Sequence, residues 1–180
     1  MANPLLLEEL SEKHESGFLQ MLLIYQLKDP VTFATLYDRG VPWSKAEFKK
    51  FLKVIAAEKM DWRPKARKTS LTRYVLTGAD GVICGNGLMR FPLDSETEIN
   101  GGNLRFDVPP DQRGKDHAAL VLNGMLFEAV RAGMARVLLT CEPRESAVIR
   151  AILRNRGELQ DTVKDKKTGL EINRYWIHLR

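Results

Sequence analysis

Residues 108–118 read Val108-Pro109-Pro110-Asp111-Gln112-Arg113-Gly114-Lys115-Asp116-His117-Ala118. Before them Leu104, Phe106 and Val108 alternate with Arg105 and Asp107, a half-buried strand stopped by the proline pair. After them Leu122, Met125, Leu126, Ala129 and Val130 mark one face of a helix, with Gly133 placed as its left-handed cap. The quoted stretch is therefore a short loop running from a strand into a helix N-terminus. The first N–H groups of a helix lack intrahelical acceptors, and the macrodipole adds about half a positive charge there. Arg113 and Lys115 add full charges on flexible stems. A diphosphate is the expected ligand of such a loop. Neither Walker nor dinucleotide glycine spacing is present.

Outward from this loop the periodicity alternates between two and 3.6. Leu71 to Leu76 reads as a strand, 77–81 as a turn, and Val82 to Arg90 as the returning strand. Gly85 and Gly87 weaken that strand or admit something close to its backbone. Val137 to Leu139 is a short buried strand. A helix follows with Pro143 in its first turn and Val148, Ile149, Ile152 and Leu153 as its stripe, closed by Asn155-Arg156-Gly157. A last strand pair flanks the polar turn Lys164 to Gly169. The first third reads as helical. Phe18, Met21, Leu22 and Tyr25 share one helix face, and Ser44 with Glu47 has capping-box spacing, with Trp43 and Phe48 as its staple. Phe48, Phe51, Leu52 and Ile55 supply that second helix with its stripe. The order predicts an α/β fold with a mixed sheet flanked by helices.

The chain has 180 residues, a length that predicts one domain over 1–180 and a core burying roughly 70% of the unfolded surface. At 44% hydrophobic and 28% charged residues it reads as globular rather than disordered. Cys84 and Cys141 are too few for a disulfide framework or zinc cluster, and His14, His117 and His178 lack metal-ligand spacing. No metal is expected. No apolar run approaches the ~20 residues of a membrane span, so a reducing cytoplasm and no membrane partner are expected. The net charge of +5 favours anionic partners. Basic residues 63–68 beside Trp62 resemble a single-strand nucleic-acid patch, but read better as a solvated loop. A nucleic-acid partner is set aside.

The loop also carries a resemblance. Val108, Pro110, Arg113, Gly114 and Ala118 match the signature V-x-P-x-x-R-G-x-G-x-G/A of the GNAT superfamily of acetyl-CoA-dependent N-acetyltransferases. Trp62 and Pro64, Gly101-Gly102, Asn155 and Gly157, and Asn173 to Ile177 extend it, and it looks closest to a branch of predicted acetyltransferases with an R-G-K-G-Y-A loop. The resemblance implies a strongly twisted sheet that splays beside the central strand. It implies an acceptor-side region at 1–60 and a coenzyme-binding core at 61–180. Backbone at Phe106 and Val108 would pair with pantetheine, and amides from Gly114 through Lys115, Asp116 and His117 to Ala118 would hold the pyrophosphate of acetyl-CoA, with Arg113 alongside. A primary amine, on a small molecule or a peptide, would attack the thioester directly, with an N–H near Val108 polarising the oxyanion. A homodimer is one arrangement left open.

Two positions depart from the signature: Asp116 stands where it has glycine, and Glu145 where asparagine is common. Each brings a carboxylate toward a polyanion, so the alternative is a GNAT-like protein that binds a coenzyme A species or another anion without turnover. Asp116 also has the chemistry of a helix N-cap. An ammonium acceptor needs a base. Glu98, in the acidic loop, is the first candidate, and Asp107 is the second unless it pairs with Arg105. The tyrosine that many superfamily members use to protonate the thiolate has no counterpart between Val148 and Gly157. Cys141 reads as a small buried hydrophobe rather than a nucleophile.

Overall fold

Seven strands and five α-helices are present in a computed structural model that describes residues 4–37, 40–59 and 69–179. The basic stretch with Trp62 and Pro64 lies outside those residues. In order, the elements are β1 (Leu6–Glu9), α1 (Glu15–Lys28), α2 (Pro30–Leu36), α3 (Lys45–Glu58), β2 (Ser70–Thr77), β3 (Ile83–Phe91) and β4 (Leu104–Asp107). Then come α4 (His117–Arg131), β5 (Arg136–Cys141), α5 (Ser146–Arg154), β6 (Glu158–Lys164) and β7 (Glu171–His178). The helical first third thus opens with a strand the sequence reading lacked. Leu6 pairs with Thr77 and Glu9 with Tyr74, so β1 is the outer strand of the sheet. Four residues are too few for a period-two signal to stand out.

The expected mixed sheet is two antiparallel sheets side by side, ordered β1-β2-β3-β4 and β5-β7-β6. They meet at Asn103, whose N–H donates to the Leu138 carbonyl (2.7 Å) and whose Oδ1 accepts from the Leu138 N–H (2.8 Å). Gly102 makes that junction possible. Its φ is +61°, and a Cβ there would lie 2.4 Å from the Leu138 oxygen. Among the described residues β4 has no ladder to β5 beyond this point.

Helix α4 covers one face of the first sheet, and the helices of the first third cover the other. A Cβ at Gly85 would stand 2.3 Å from Val121 Cγ2, and one at Gly87 2.4 Å from Met125 Sδ. What approaches β3 is therefore α4. Val121, Leu122, Met125 and Ala129 are buried while Val130 is 44% exposed, so the buried face of α4 is rotated from the expected one. The N–H of Met134 reaches the Ala129 carbonyl past Gly133, closing the helix in a Schellman turn. On the other face Phe18, Met21, Leu22, Tyr25 and Phe48 are buried, as the helix periodicity predicts, whereas Phe51, Leu52 and Ile55 only flank that cluster. Ser44 accepts from the Glu47 N–H (3.3 Å), but Glu47 reaches back to the Trp43 N–H (2.7 Å), one residue short of a closed box. Trp43 packs at a tilt against the Phe33 ring of α2, with ring centroids 5.8 Å apart. Helix α5 starts at Ser146, past Pro143, and buries Ala151 and Ile152 while Leu153 stays exposed.

Candidate active site

Residue parity fixes what β4 presents. The Arg90 N–H donates to the Asn103 carbonyl, and the register runs Leu88 to Arg105 and Asn86 to Asp107. Asn103, Arg105 and Asp107 therefore turn their backbone groups toward β3, and Leu104 and Phe106 turn theirs away. The edge that faces away is the one left without a ladder. It is a place where an extended ligand can add as a strand partner.

The loop after β4 makes one 3-10 turn at Pro110–Gln112 and then enters α4 through two left-handed residues, Gly114 (φ +83°) and Asp116 (φ +57°). Ala119 and Leu120 donate to the Asp116 carbonyl. The N–H groups of Gly114, Lys115, Asp116, His117 and Ala118 have no partner among the described residues. Nothing stands within 4 Å of where a Gly114 Cβ would be. The loop thus enters α4 as a run of unpartnered amides, a chemistry that suits an anion such as a diphosphate.

The charges around it differ from the sequence reading. Asp116 caps nothing with its side chain. Its carboxylate is 82% exposed and meets Arg154 of α5 at 3.2 Å, so Arg154 offsets the charge at the departing position. Arg113 instead turns inward: its Nε donates to the Val108 carbonyl (3.1 Å) and its Nη2 to Asp29 (2.7 Å), which caps α2 through the Thr32 N–H. Lys115 donates to Gln112 (3.2 Å). His117 is buried with Nδ1 unbonded, and burial, then Lys115, holds its pKa below the usual histidine value. It adds no charge at neutral pH. Glu145 accepts from the Glu142 N–H (2.7 Å), a local turn bond.

The two base candidates lie in different surroundings. Glu98 is exposed on the turn before β4, where its backbone carbonyl faces Arg174 of β7 (3.4 Å). Asp107 is mostly buried, and its Oδ2 accepts from the Tyr25 hydroxyl at 2.6 Å rather than pairing with Arg105. Burial pushes the Asp107 carboxyl above the usual carboxylate value, although the Tyr25 hydroxyl bonded to it and the neighbouring Val108 N–H pull the other way. Asn86 completes the cluster by donating to Tyr25 (3.3 Å) and to the Asp107 carbonyl (3.5 Å). Neither Tyr25 nor Asn86 stands out in the sequence as a candidate. Tyr25 lies on the core face of α1, and only its polar tip sets it apart. The Cys141 thiol, pushed up to about 12 by burial and then Glu145, is no nucleophile.

No protein-family model matches the chain, and no curated protein does. Solved structures do match. An acetyltransferase from Salmonella typhimurium that modifies the N-terminal serine of ribosomal protein L7/L12 is 15% identical, with 99% of this chain and 97% of that one covered at a TM-score of 0.66. The putative acetyltransferase yncA from the same organism, solved with acetyl-CoA, is 16% identical, with 99% and 95% covered at 0.63. A GNAT-family acetyltransferase from Streptococcus pneumoniae is 13% identical, with 98% and 100% covered at 0.64. At such identities the likeness is one of fold, and it runs over nearly the whole chain.

Proposed function

We infer, from the GNAT fold this chain adopts, that it moves an acetyl group from acetyl-CoA to an amine. The observation that carries the inference is the pairing of the free β4 edge with the bare amides of Gly114 to Ala118. A pantetheine arm is extended and amide-bearing, and a pyrophosphate is an anion, so one ligand satisfies both. The outward backbone groups of Phe106 would align the arm, the loop amides would hold the diphosphate, and the Asp116–Arg154 pair leaves little net charge against it. Similar structures solved as acetyltransferases, one with acetyl-CoA and one acting on a peptide N-terminus, support the substrate classes.

The acceptor amine attacks the thioester carbonyl and must first lose a proton. Asp107 is the better-placed base of the two candidates. A carboxylate with a raised pKa holds a proton more firmly, and Tyr25 fixes its orientation. Glu98 belongs to the rim that an acceptor would cross. Residues 1–60 act with β4 as the acceptor side and 61–180 as the coenzyme side of one domain, a monomer or a homodimer. Free buried Cys84 and Cys141 suit the reducing cytoplasm, and no helix among the described residues is long and apolar enough to cross a membrane.

A second reading, coenzyme binding without turnover, draws on one observation. Helix α5 carries no tyrosine to protonate the thiolate, and among the described residues Tyr25 is the phenol hydrogen-bonded to Asp107. A thiol-release assay with acetyl-CoA and a panel of primary amines decides between them. Transfer to any amine above the hydrolysis background supports the first reading; binding without transfer across the panel supports the second.

A further inference from the structure

The C-terminal end of α1 is tied to the end of β4 at two successive residues. Tyr25 donates its hydroxyl to Asp107. Asp29, four residues on, ends the helix with its N–H on the Tyr25 carbonyl (2.8 Å). Its Oδ2 accepts from Arg113 Nη2 at 2.7 Å, and the same guanidinium donates through Nε to the carbonyl of Val108, the residue after Asp107 (3.1 Å). The other Asp29 oxygen holds the Thr32 N–H and so fixes the start of α2, the helix that leads to Tyr37. One carboxylate and one guanidinium thus join α1, α2, the end of β4 and the loop that enters α4.

The arrangement uses what is particular to each side chain. A guanidinium is a rigid fork, and its arms here lie on acceptors from different segments, which a lysine ammonium, a single point of charge, does not reproduce. With the Arg113 side chain 45% exposed, the ion pair itself adds little to stability, so its consequence lies in placement. Around Asp107 the charged and titratable groups are Tyr25 from α1, Tyr37 from the end of α2, Asp29 between those helices and Arg113 from the loop, while Asn86 of β3 donates to its carbonyl. Burial disfavours the Asp107 carboxylate, and Arg113 is the cation among the groups that oppose it. We propose that Asp29 and Arg113 are positioning residues for the base: the Asp29–Arg113–Val108 link fixes where the end of β4 lies against α1, and with it the alignment of the Tyr25–Asp107 pair toward the acceptor amine. Arg113 directly precedes Gly114, so the same link joins the coenzyme loop to the base. The inference rests on the acetyl-transfer reading and adds two residues to its machinery.

Two measurements on the intact chain test it. Asp29→Asn keeps an oxygen to cap Thr32 and loses the charge that holds Arg113, so it should melt near wild type. At saturating acetyl-CoA and amine, kcat is expected to fall about 10-fold in Asp29→Asn, because small misplacements of a reacting group are costly. In an Arg113→Gln background the same substitution should cost less than about twofold, since the link is already cut. Wild-type kcat in Asp29→Asn, or its full cost retained beside Arg113→Gln, overturns the proposal and leaves acetyl transfer intact. The second measurement needs no turnover. The carboxyl ¹³C resonance of Asp107 is followed through pH in wild type, Arg113→Gln and Arg113→Lys. Loss of the cation should move its midpoint to higher pH, and lysine, which keeps the charge, should return it toward wild type. That pattern supports the link even if no amine is acetylated. A midpoint unmoved in Arg113→Gln overturns it even if amines are.

Discussion

Asp116→Gly separates two contributions that this residue makes. Its φ of +57° is a conformation glycine adopts freely and other L-residues adopt at about 1 kcal/mol or more, less for aspartate. Its side chain caps no helix amide, so no cap is lost. The Arg154 contact, with 82% and 61% of the two side chains exposed, is worth roughly 0–1 kcal/mol. Glycine also loosens the unfolded chain, at about 0.4–1 kcal/mol. These nearly cancel, so the variant should melt within about 3 °C of wild type. The ligand sees a larger change. A carboxylate ~5 Å from one phosphate charge costs about 0.8 kcal/mol in water and about 3 at an effective dielectric of 20. High exposure keeps the effect near the lower figure, and the substitution also frees Arg154. Coenzyme A should therefore bind about 4- to 10-fold more tightly by calorimetry in low salt, and the gain should shrink as salt rises. Weaker binding by Asp116→Gly would refute the reasoning and show that the Asp116–Arg154 pair organises the loop.

Asp107→Asn should lower acetyl transfer about 10²–10⁴-fold with coenzyme affinity kept, whereas Glu98→Gln should cost less than about threefold; the reverse order in a steady-state assay would return the base to the acidic loop. The same Asp107→Asn should change stability with pH. Asp107 holds its proton more firmly folded than unfolded, so wild type loses stability as pH rises from near 3.8 through the higher folded value. The melting temperature of Asp107→Asn relative to wild type should accordingly rise from pH 4 to pH 8, and a falling difference would contradict the raised value. Gly85→Ala should destabilise by about 1–3 kcal/mol, because its Cβ meets the β-branched Val121 at 2.3 Å. Gly87→Ala, against the flexible tip of Met125, should cost less in urea melts.

What the sequence made legible follows from which signals are local. Strands β2, β3 and β4, the cap at Gly133, and the loop into α4 each carry their own periodicity or turn chemistry, and each lies where it was expected. Gly85 and Gly87 were ambiguous because a missing side chain says that something is close, not what; the structure answers with α4. The misses are contacts between distant segments. Arg154 meets Asp116 across 38 residues, Arg113 meets Asp29 across 84, and Tyr25 meets Asp107 across 82. In each case one partner had a satisfactory local explanation, such as a cap, a phosphate ligand or a core face. Asp116 shows it best: an aspartate at a helix start is usually a cap, and only the backbone angle reveals that its carboxylate points elsewhere.

The central claim is that one extended, diphosphate-bearing ligand occupies the β4 edge and the amide loop together. Amide chemical shifts of the ¹⁵N-labelled chain, followed through a coenzyme A titration, test it most directly. Saturable shifts at Gly114, Lys115, His117 and Ala118, moving in step with those of Phe106 and Val108, are the predicted result. Shifts confined to other surfaces, or none at millimolar coenzyme, would contradict it.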